Sequence, residues 1–334
     1  MTPCVSVVMS VYNGAKFLAP AVESILAQSF KNFEFIIVND GSIDESLAIL
    51  RGYAKRDPRI RLITRENKGL IASLNEAVAM ARGEWIARMD ADDISLPNRL
   101  DKQLARLQET GADICGGQIQ LLGTWPSRVW SYYVSNEAIR LKMLFGSPFA
   151  HPAVMLRTHV AKANPYSEDA SYVEDYDLWA RLAMKNIKMT NHSEVVLQYR
   201  IHAEQVTAIK QKQQRENMIR IFQQYSGFFL GDGYAETTGY LLIADKQRDI
   251  NEEGFENAVA FLNALLRRFG DPEGVVSGNA FIFLTRCGGL GPFKIMPIGS
   301  KFKLSVLQKL ILLVLSVTRA SPRGKLYKFL YLLR

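Results

Sequence analysis

The chain has 334 residues, of which 48% are hydrophobic and 22% are charged, and its formal net charge is +8. This composition excludes an intrinsically disordered protein, because such chains carry few hydrophobic residues for their charge. The length is sufficient for one large domain or two ordinary ones.

Three cysteines, Cys4, Cys115 and Cys287, are far apart and lack CxxC spacing. This argues against a disulfide framework and against a zinc site. The first residues lack the basic region and apolar core of a signal peptide, and no apolar run reaches the roughly 18 residues of a spanning helix. We therefore expect a cytoplasmic protein.

Four strands and three helices are predicted in the first 90 residues. Apolar, mostly β-branched runs predict the strands, at 5–11, 35–38, 60–63 and 85–89. Apolar residues at helical spacing predict the helices, up to about 29, around 47–53 behind a capping Asp44, and over about 70–81. This order predicts an α/β fold with a mostly parallel central sheet flanked by helices.

Three of these strands end in polar turns, at Tyr12-Asn13, at Asn39-Asp40 and at Asp90–Asp93. Because the carboxyl ends of parallel strands share one edge of a sheet, the three turns are expected to meet where open α/β sheets bind ligands. The turns contain neither G-x-G-x-x-G nor G-x-x-x-x-G-K-[ST], so the sequence does not support a dinucleotide fingerprint or a P-loop.

The third turn places three carboxylates, those of Asp90, Asp92 and Asp93, within four residues at the end of an apolar strand. Carboxylates this close repel one another, and a hard divalent cation that carries a diphosphate would offset the repulsion. The alternative is a solvated acidic turn in which Asp93 caps the next helix.

The next hundred residues predict a mixture of strands and helices. A helix should begin at Pro97 and end near residue 109, and strands with turns should fill 112–134. Further strands are expected at 149–156 and 195–202. Glu174 and Asp175 begin another helix, where acids could serve only as N-terminal charges.

From about residue 204 the pattern becomes helical, with amphipathic segments expected over 204–225, 236–247, 252–268 and 278–287. We expect three regions: an α/β domain over 1–205, a helical region over 206–299 and a basic tail over 300–334. The tail has eight basic residues and no acidic one, while the other 33 basic and 33 acidic residues cancel.

The apolar run in the tail is too short to span a bilayer. It could lie at the surface of an anionic membrane, or it could be a core helix that closes the C-terminal region. Because the charge lies in an apolar tail and not in a basic groove with spaced aromatics, nucleic-acid binding is not expected.

The first 205 residues resemble the inverting glycosyltransferases of family 2, which have the GT-A fold. Six signatures in order carry the resemblance: VSVVMSVYN at 5–13, VNDGS at 38–42, NKG at 67–69 with Asn75, MDADD at 89–93 with Pro97 and Arg99, EDYDLW at 174–179, and YRIH at 199–202. The chain departs from many members in having Asn39 where they have Asp, which leaves Asp40 as the acid of that turn.

The resemblance implies a nucleotide-sugar donor and a divalent metal, Mn²⁺ or Mg²⁺. Asp92, with Asp90 and His202, corresponds to the metal ligands, and Arg200 corresponds to a diphosphate contact. Asp175, with Glu174 beside it, corresponds to the catalytic base. Residues that correspond to the donor-nucleotide site are Ser10, Tyr12, Asn13, Asp40, Asn67, Lys68, Gly69, Asp90 and Ala91, of which Asp40 would bind the base.

Acceptor contacts are less specified. His151 could contact the acceptor or be a structural histidine. An aromatic group could form a platform for a sugar ring or belong to the core; it comprises Trp125, Trp130, Tyr132 and Tyr133.

The sequence thus predicts an inverting, metal-assisted glycosyltransferase that uses a single Asp as general base. It would move a sugar from a nucleotide diphosphate donor, expected to be a UDP-sugar, to a glycan or lipid-linked glycan of a cell-surface polysaccharide. We expect it to be peripheral at the inner face of the cell membrane.

Two alternatives remain. A sugar nucleotidyltransferase would need a glycine-rich basic loop after the first strand, which the turn at 12–16 fits poorly. A scaffold that kept only the fold would be expected to lack Asp92 or Asp175, and both are present.

Overall fold

The structure, a computed structural model, describes residues 2–124, 127–202, 211–231, 238–245, 250–320 and 327. The chain forms two compact units. Unit 1 consists of Met1–Arg140 and Ser147–Met218, and unit 2 consists of Leu141–Gly146 and Ile219–Arg334. The expected boundary near 205 falls within 203–210, outside the described residues, so the three-region division stays a prediction.

Unit 1 alternates strands and helices in its first half and continues with shorter elements. Its first half contains β1 (Val5–Val11), α1 (Ala15–Leu26), β2 (Phe33–Asp40), α2 (Ser46–Arg56), β3 (Ile60–Arg65), α3 (Leu70–Met80) and β4 (Trp85–Met89). Then follow β5 (Ile94–Ser95), α4 (Arg99–Thr110), β6 (Ile114–Leu122), β7 (Val129–Trp130), α5 (Asn136–Lys142), β8 (Met155–Arg157), α6 (Thr158–Ala163), α7 (Glu174–Met184) and β9 (Met189–Arg200).

The strands form one mixed sheet in the order β3-β2-β1-β4-β8-β6-β9-β5, with β7 paired to β6. Strands β1 to β4 are mutually parallel, and β8 joins β4 in antiparallel orientation. The predicted α/β class is therefore confirmed, and the antiparallel pairs extend the sheet beyond the four strands that the sequence indicates most clearly.

The register of the central strands aligns their carboxyl ends. Val11 of β1 pairs with Asn39 of β2, and Met9 pairs with Met89, the last residue of β4. The turns that follow β1, β2 and β4 therefore leave the sheet at one edge, as the sequence predicts.

Helix α1 anchors this edge through its buried face. Leu18, Ala21, Val22 and Ile25 recur at helical spacing and are all fully buried in the core beside β1 and β2. Full burial of an aliphatic side chain of this size contributes about 1.5–3 kcal/mol. The buried face of α1 thus fixes the position of its N-terminus, which follows the turn after β1.

Three predicted elements differ in the structure. The strand expected at 195–202 is β9, which begins earlier, at Met189, and ends at Arg200, before His202. The expected strand at 149–156 contains instead a 3-10 turn, His151–Ala153, followed by the short β8. Pro152 has no N–H for a ladder and suits the first turn of a helical segment. The helix expected to begin at Pro97 begins at Arg99, because Pro97 lies in the preceding turn and its carbonyl accepts the N–H of Ser29.

The described part of unit 2 is mainly helical, as the sequence predicts. Helix α8 (Gln211–Leu230) begins in unit 1 and ends in unit 2, and it is followed by α9 (Thr238–Ala244), α10 (Glu252–Phe269), α11 (Val275–Arg286), α12 (Pro292–Gly299) and α13 (Val306–Val317). Within the described ranges, no helix combines the length and apolarity needed to cross a bilayer.

Candidate active site

The turns after β1 and β2 are locked together by hydrogen bonds. The N–H of Asn13 donates to Ser42 Oγ at 3.0 Å, and Asn13 Oδ1 accepts the N–H of Ile43 at 2.9 Å. Asn13 has φ of 51°, a left-handed conformation that asparagine tolerates. Asp44 accepts the N–H of Ala15 at 3.0 Å, so α2 and the N-terminus of α1 are joined as well. These hydrogen bonds fix the turns after β1 and β2 relative to each other.

Asp40, at the end of β2, is buried and holds the loop before α3. Its Oδ1 accepts the N–H of Lys68 and its Oδ2 accepts the N–H of Gly69, both at 2.9 Å. Arg65 forms an ion pair with Oδ1. A carboxylate has about four acceptor positions, so one position on Oδ2 has no partner among the described residues.

Other predicted donor-site residues line the same edge with more exposed side chains. Tyr12 is 54% exposed, so its ring is open to a ligand. Asn67 and Lys68 are also exposed, whereas Ser10 and Ala91 are partly buried. All nine predicted donor-site residues thus lie in or next to the three turns.

The acidic turn brings three carboxylates close enough to share a cation. One oxygen each of Asp90, Asp92 and Asp93 lies within 4.8 Å of the others, the one such cluster found among the described residues. Asp92 Oδ2 lies 2.9 Å from His202 Nε2. The carboxylate oxygens suit a hard divalent metal such as Mn²⁺ or Mg²⁺.

Asp93 is the most buried acid of the three. Its Oδ1 accepts the N–H of Arg200 at 2.8 Å, and its Oδ2 has no hydrogen-bond partner. Burial, followed by the negative charges of Asp90 and Asp92, raises its pKa to about 8. The expectation that Asp93 caps the next helix is wrong, because α4 begins after Asn98 and Asp93 binds β9 instead. The buried orphan oxygen is consistent with a nearby cation.

Three nitrogen-bearing side chains gather around Phe17, next to the acidic turn. Arg200 Nε donates to the Asp92 carbonyl at 2.8 Å, and its guanidinium lies 4.4 Å from the ring centroid of Phe17. The rings of His202 and Phe17 are 5.2 Å apart, and the ammonium of Lys16 is 4.9 Å from the same Phe17 ring. Phe17 therefore supports three nitrogen-bearing side chains at the N-terminus of α1, where an anion is favoured.

Arg88 is a buried cation inside the otherwise apolar strand β4. Its guanidinium forms an ion pair with Asp90. Beneath it, the fully buried Arg99 donates to the Arg88 carbonyl at 2.7 Å. Sequence reasoning missed Arg88 and Phe17. A charge within an apolar strand was the signal for Arg88, whereas Phe17 was indistinguishable from the apolar face of its helix.

The two acids at the start of α7 lie in a desolvated environment. Asp175 is partly buried and accepts a hydrogen bond from Ser147 Oγ at 3.4 Å. Burial raises the pKa of Asp175, and the nearby charge of Arg88 opposes this rise. Burial, followed by the charge of Asp175, raises the pKa of Glu174 to about 7. Neither acid caps the helix, which begins after Val173 without a side-chain cap.

His151 makes structural contacts. Its Nε2 lies 2.9 Å from the hydroxyl of Tyr166, and its ring contacts Trp179 edge-on at 6.2 Å. Burial lowers its pKa well below the ordinary value, so the ring is neutral. Tyr166 is itself held by Asn75, which accepts its N–H at 2.9 Å. The acceptor role of His151 stays a prediction.

The aromatic group is divided by the structure. Trp130 is 48% exposed and stacks on Tyr199 with centroids 6.1 Å apart, one residue before Arg200. Tyr132 is partly buried. Burial raises the pKa of its phenol, and the nearby charge of Asp175 raises this pKa further. Trp125 lies outside the described residues. Trp130 is the exposed aromatic face in this part of the edge.

Comparisons with known proteins identify the family to which the chain is similar. Residues 6–155 match the family described as Glycosyl transferase family 2. The chain is 35% identical over 202 residues to the O-antigen biosynthesis glycosyltransferase WbnJ of Escherichia coli. The alignment covers 59% of this chain and 80% of WbnJ.

Two solved structures share the fold. TarS 1-349 of S. aureus in complex with UDP-GlcNAc superposes with a TM-score of 0.59 at 15% identity, covering 93% of this chain and 90% of that one. The mannosyltransferase PcManGT of Pyrobaculum calidifontis, in complex with GDP-Man and Mn²⁺, superposes with a TM-score of 0.54 at 17% identity, covering 97% and 89%. At these identities the likeness establishes the fold alone.

Proposed function

The chain belongs to glycosyl transferase family 2 and is a glycosyltransferase, and from this premise we propose that it transfers a sugar from UDP to a glycan hydroxyl with inversion. The observation that carries the proposal is the contact between Asp92 and His202. It joins the acidic turn to the cationic strand end, 110 residues away in sequence. The acids that would hold a metal therefore lie beside the cations that would bind a diphosphate.

The donor nucleotide would lie over the turns after β1 and β2. We propose that the exposed ring of Tyr12 covers the base and that the free acceptor position of Asp40 Oδ2 binds a base N–H. Ser10, Asn13, Asn67, Lys68 and Gly69 would complete this pocket, and Asp90 and Ala91 would lie nearer the ribose. Uracil offers the ring N–H that an acidic acceptor requires, as guanine and thymine also do. The UDP-GlcNAc bound to TarS supports uracil among these bases.

Asp92, with Asp90 and His202, would hold Mn²⁺ or Mg²⁺. When bound, the metal neutralises charge on the diphosphate. Arg200 and Lys16, at the N-terminus of α1, would stabilise the same leaving group as it gathers negative charge. Both side chains lie over the Phe17 ring, which would hold them at that position.

Asp175 would accept the proton of the acceptor hydroxyl while the new bond to the anomeric carbon forms and the bond to the diphosphate breaks. Partial burial suits this role, because a raised pKa makes the carboxylate a stronger base. One base and in-line attack give inversion. Glu174 would stay protonated through part of the neutral range and so not compete as a second negative charge.

The acceptor is proposed to be a glycan, or a glycan carried on a lipid, in cell-surface polysaccharide synthesis. The name of the Escherichia coli relative, an O-antigen biosynthesis glycosyltransferase, supports this class. Trp130 would stack on the acceptor sugar, since exposed aromatic faces bind the apolar face of sugar rings. Such an acceptor would place the enzyme at the inner face of the cell membrane.

The variant Asp175→Asn tests the chemical step. Loss of a positioned base costs about 10²–10⁴-fold in rate, so we expect UDP release from a panel of UDP-sugars, with membrane lipid extract as acceptor, to fall by that factor. Affinity for UDP should stay within about threefold, because Asp175 does not contact the nucleotide in this proposal.

Asp169→Asn, which changes an exposed acid of the same unit, is the matched control and should release UDP at the wild-type rate. Wild-type turnover by Asp175→Asn would remove Asp175 as the base.

A further inference from the structure

Helix α13 has an apolar face that the described structure leaves exposed. Its exposed apolar residues have side chains that are 39% to 77% accessible. We call this set the apolar stripe: Val306, Leu307, Leu310, Leu313, Val314 and Val317. At about 100° per residue, the stripe covers roughly a third of the helix circumference.

The opposite face of α13 is buried. Ile311, Leu312, Leu315 and Ser316 are at most 3% exposed, and the helix packs against α11 and α12. Ser305 and Gln308 form a capping box at its N-terminus. The helix is therefore a formed part of unit 2, and its stripe does not depend on a partner to become helical.

The charges in the stretch of chain that carries the stripe have one sign. Lys301, Lys303, Lys309 and Arg319 are all exposed, and residues 300–334 contain no acidic side chain. An apolar face whose own segment carries cations and no acid complements an anionic lipid surface, where the cations meet headgroups and the apolar side chains enter the acyl boundary. Two copies of this chain would instead bring like charges together.

The length of α13 also favours a helix lying in the interface. Its 12 residues extend about 18 Å at 1.5 Å per residue, against a hydrocarbon core of about 30 Å. We propose that the apolar stripe docks unit 2 on membranes that contain anionic lipids. The inference deepens the proposed function and rests on it for its purpose, which is access to a lipid-linked acceptor.

The test is co-sedimentation of the full chain with vesicles of phosphatidylcholine alone or with about 30% phosphatidylglycerol. We expect binding to the anionic vesicles only, and weaker binding at high salt. The double variant Leu310→Gln/Leu313→Gln should lower the partition coefficient at least tenfold. Phe228→Gln, which changes an exposed apolar residue of another helix in unit 2, should leave it unchanged.

A charge variant keeps the test decisive if the stripe variant does not fold by circular dichroism. Lys301→Gln/Lys303→Gln/Lys309→Gln should weaken anionic binding at least fivefold, while the control Lys55→Gln on α2 should not. No sedimentation, or equal sedimentation with neutral vesicles, would overturn the inference. So would a lipid-free dimer that the stripe variant dissociates, since the stripe would then bind a second copy.

The measurement is independent of catalysis. If the proposed function fails and the stripe is correct, vesicle binding persists without UDP release. If the stripe fails and the proposed function is correct, the stripe variant and the wild type release UDP equally from a soluble mixture and neither binds vesicles.

Discussion

Glu174 shows how the desolvated charges of the site affect stability. Burial raises its pKa from the ordinary 4.5 to about 7, so the folded state holds this proton more tightly than the unfolded chain does. Its contribution to stability is therefore complete below pH 4.5 and is lost as the pH rises through about 7. At pH 8 the folded protein must bury a carboxylate beside Asp175.

Glu174→Gln removes that cost, so we expect the variant to exceed the wild type in unfolding free energy at pH 8 by about 3 kcal/mol. The difference should shrink toward zero near pH 4.5. Urea unfolding at the two pH values, in the presence of a metal chelator, measures it. A difference that is the same at both pH values would contradict the burial of the Glu174 charge.

The site residues that the sequence could predict are those whose chemistry is unusual for their place. Three acids after an apolar strand and a basic pair after a late strand are visible in the sequence. The contact of His202 with Asp92 was predictable in kind, since both were expected at the metal. Arg88 was visible as a charge within an apolar strand, whereas Phe17 belongs to a regular helix pattern. Only the packing of β4, α1 and β9 reveals what either side chain faces.

At the scale of elements, the loop after β2 packs against the loop before α3, where we propose that the donor nucleotide binds. Gly41 has φ of +72°, and a Cβ atom there would lie 2.6 Å from the backbone nitrogen of Asn67. Both conditions require glycine, because a left-handed conformation costs other residues about 1–2 kcal/mol and the neighbouring atom is backbone. The loop that Asp40 holds therefore depends on this residue.

We expect Gly41→Ala to lower the free energy of unfolding by about 2 kcal/mol or more and to weaken UDP binding. Gly52→Ala is the matched control. It lies within α2, and an added Cβ would lie 3.6 Å from Arg56 Nη2, an ordinary contact distance. That control should be neutral or stabilising by up to about 1 kcal/mol. Equal unfolding midpoints for Gly41→Ala and the wild type would contradict the close approach of the two loops.

The elements that the sequence predicted well are those with a strong period. Strands β1 to β4 and the helices between them agree with expectation, because each buries a clear apolar face. The interval at 149–156 misled the prediction, since an apolar run with one proline fits either a bent strand or a short helical turn. Its outcome depended on the pairing of β8 between β4 and β6, which no local pattern encodes.

At the scale of the whole molecule, the charge separates by region. The +8 net charge equals the eight cations of residues 300–334, and the rest of the chain is balanced. The helices of unit 2 up to α11 were predictable from their periodicity, whereas α12 and the role of the tail were not. In the structure, one face of α13 is packed in unit 2 and the other face is the exposed apolar stripe. A core helix and a membrane-surface helix, the two alternatives for the tail, are therefore compatible.

Family membership favours glycosyl transfer over the nucleotidyl transfer that the sequence also left open. Calorimetric titration with UDP and with GDP, each with and without Mn²⁺, tests the central claim that the acidic turn and the end of β9 form one metal-dependent donor site. We predict that UDP binds more tightly than GDP, that Mn²⁺ strengthens UDP binding at least tenfold, and that Asp92→Asn abolishes the metal effect while Asp169→Asn retains it. UDP affinity that is the same with and without Mn²⁺, in both the wild type and Asp92→Asn, would contradict this claim.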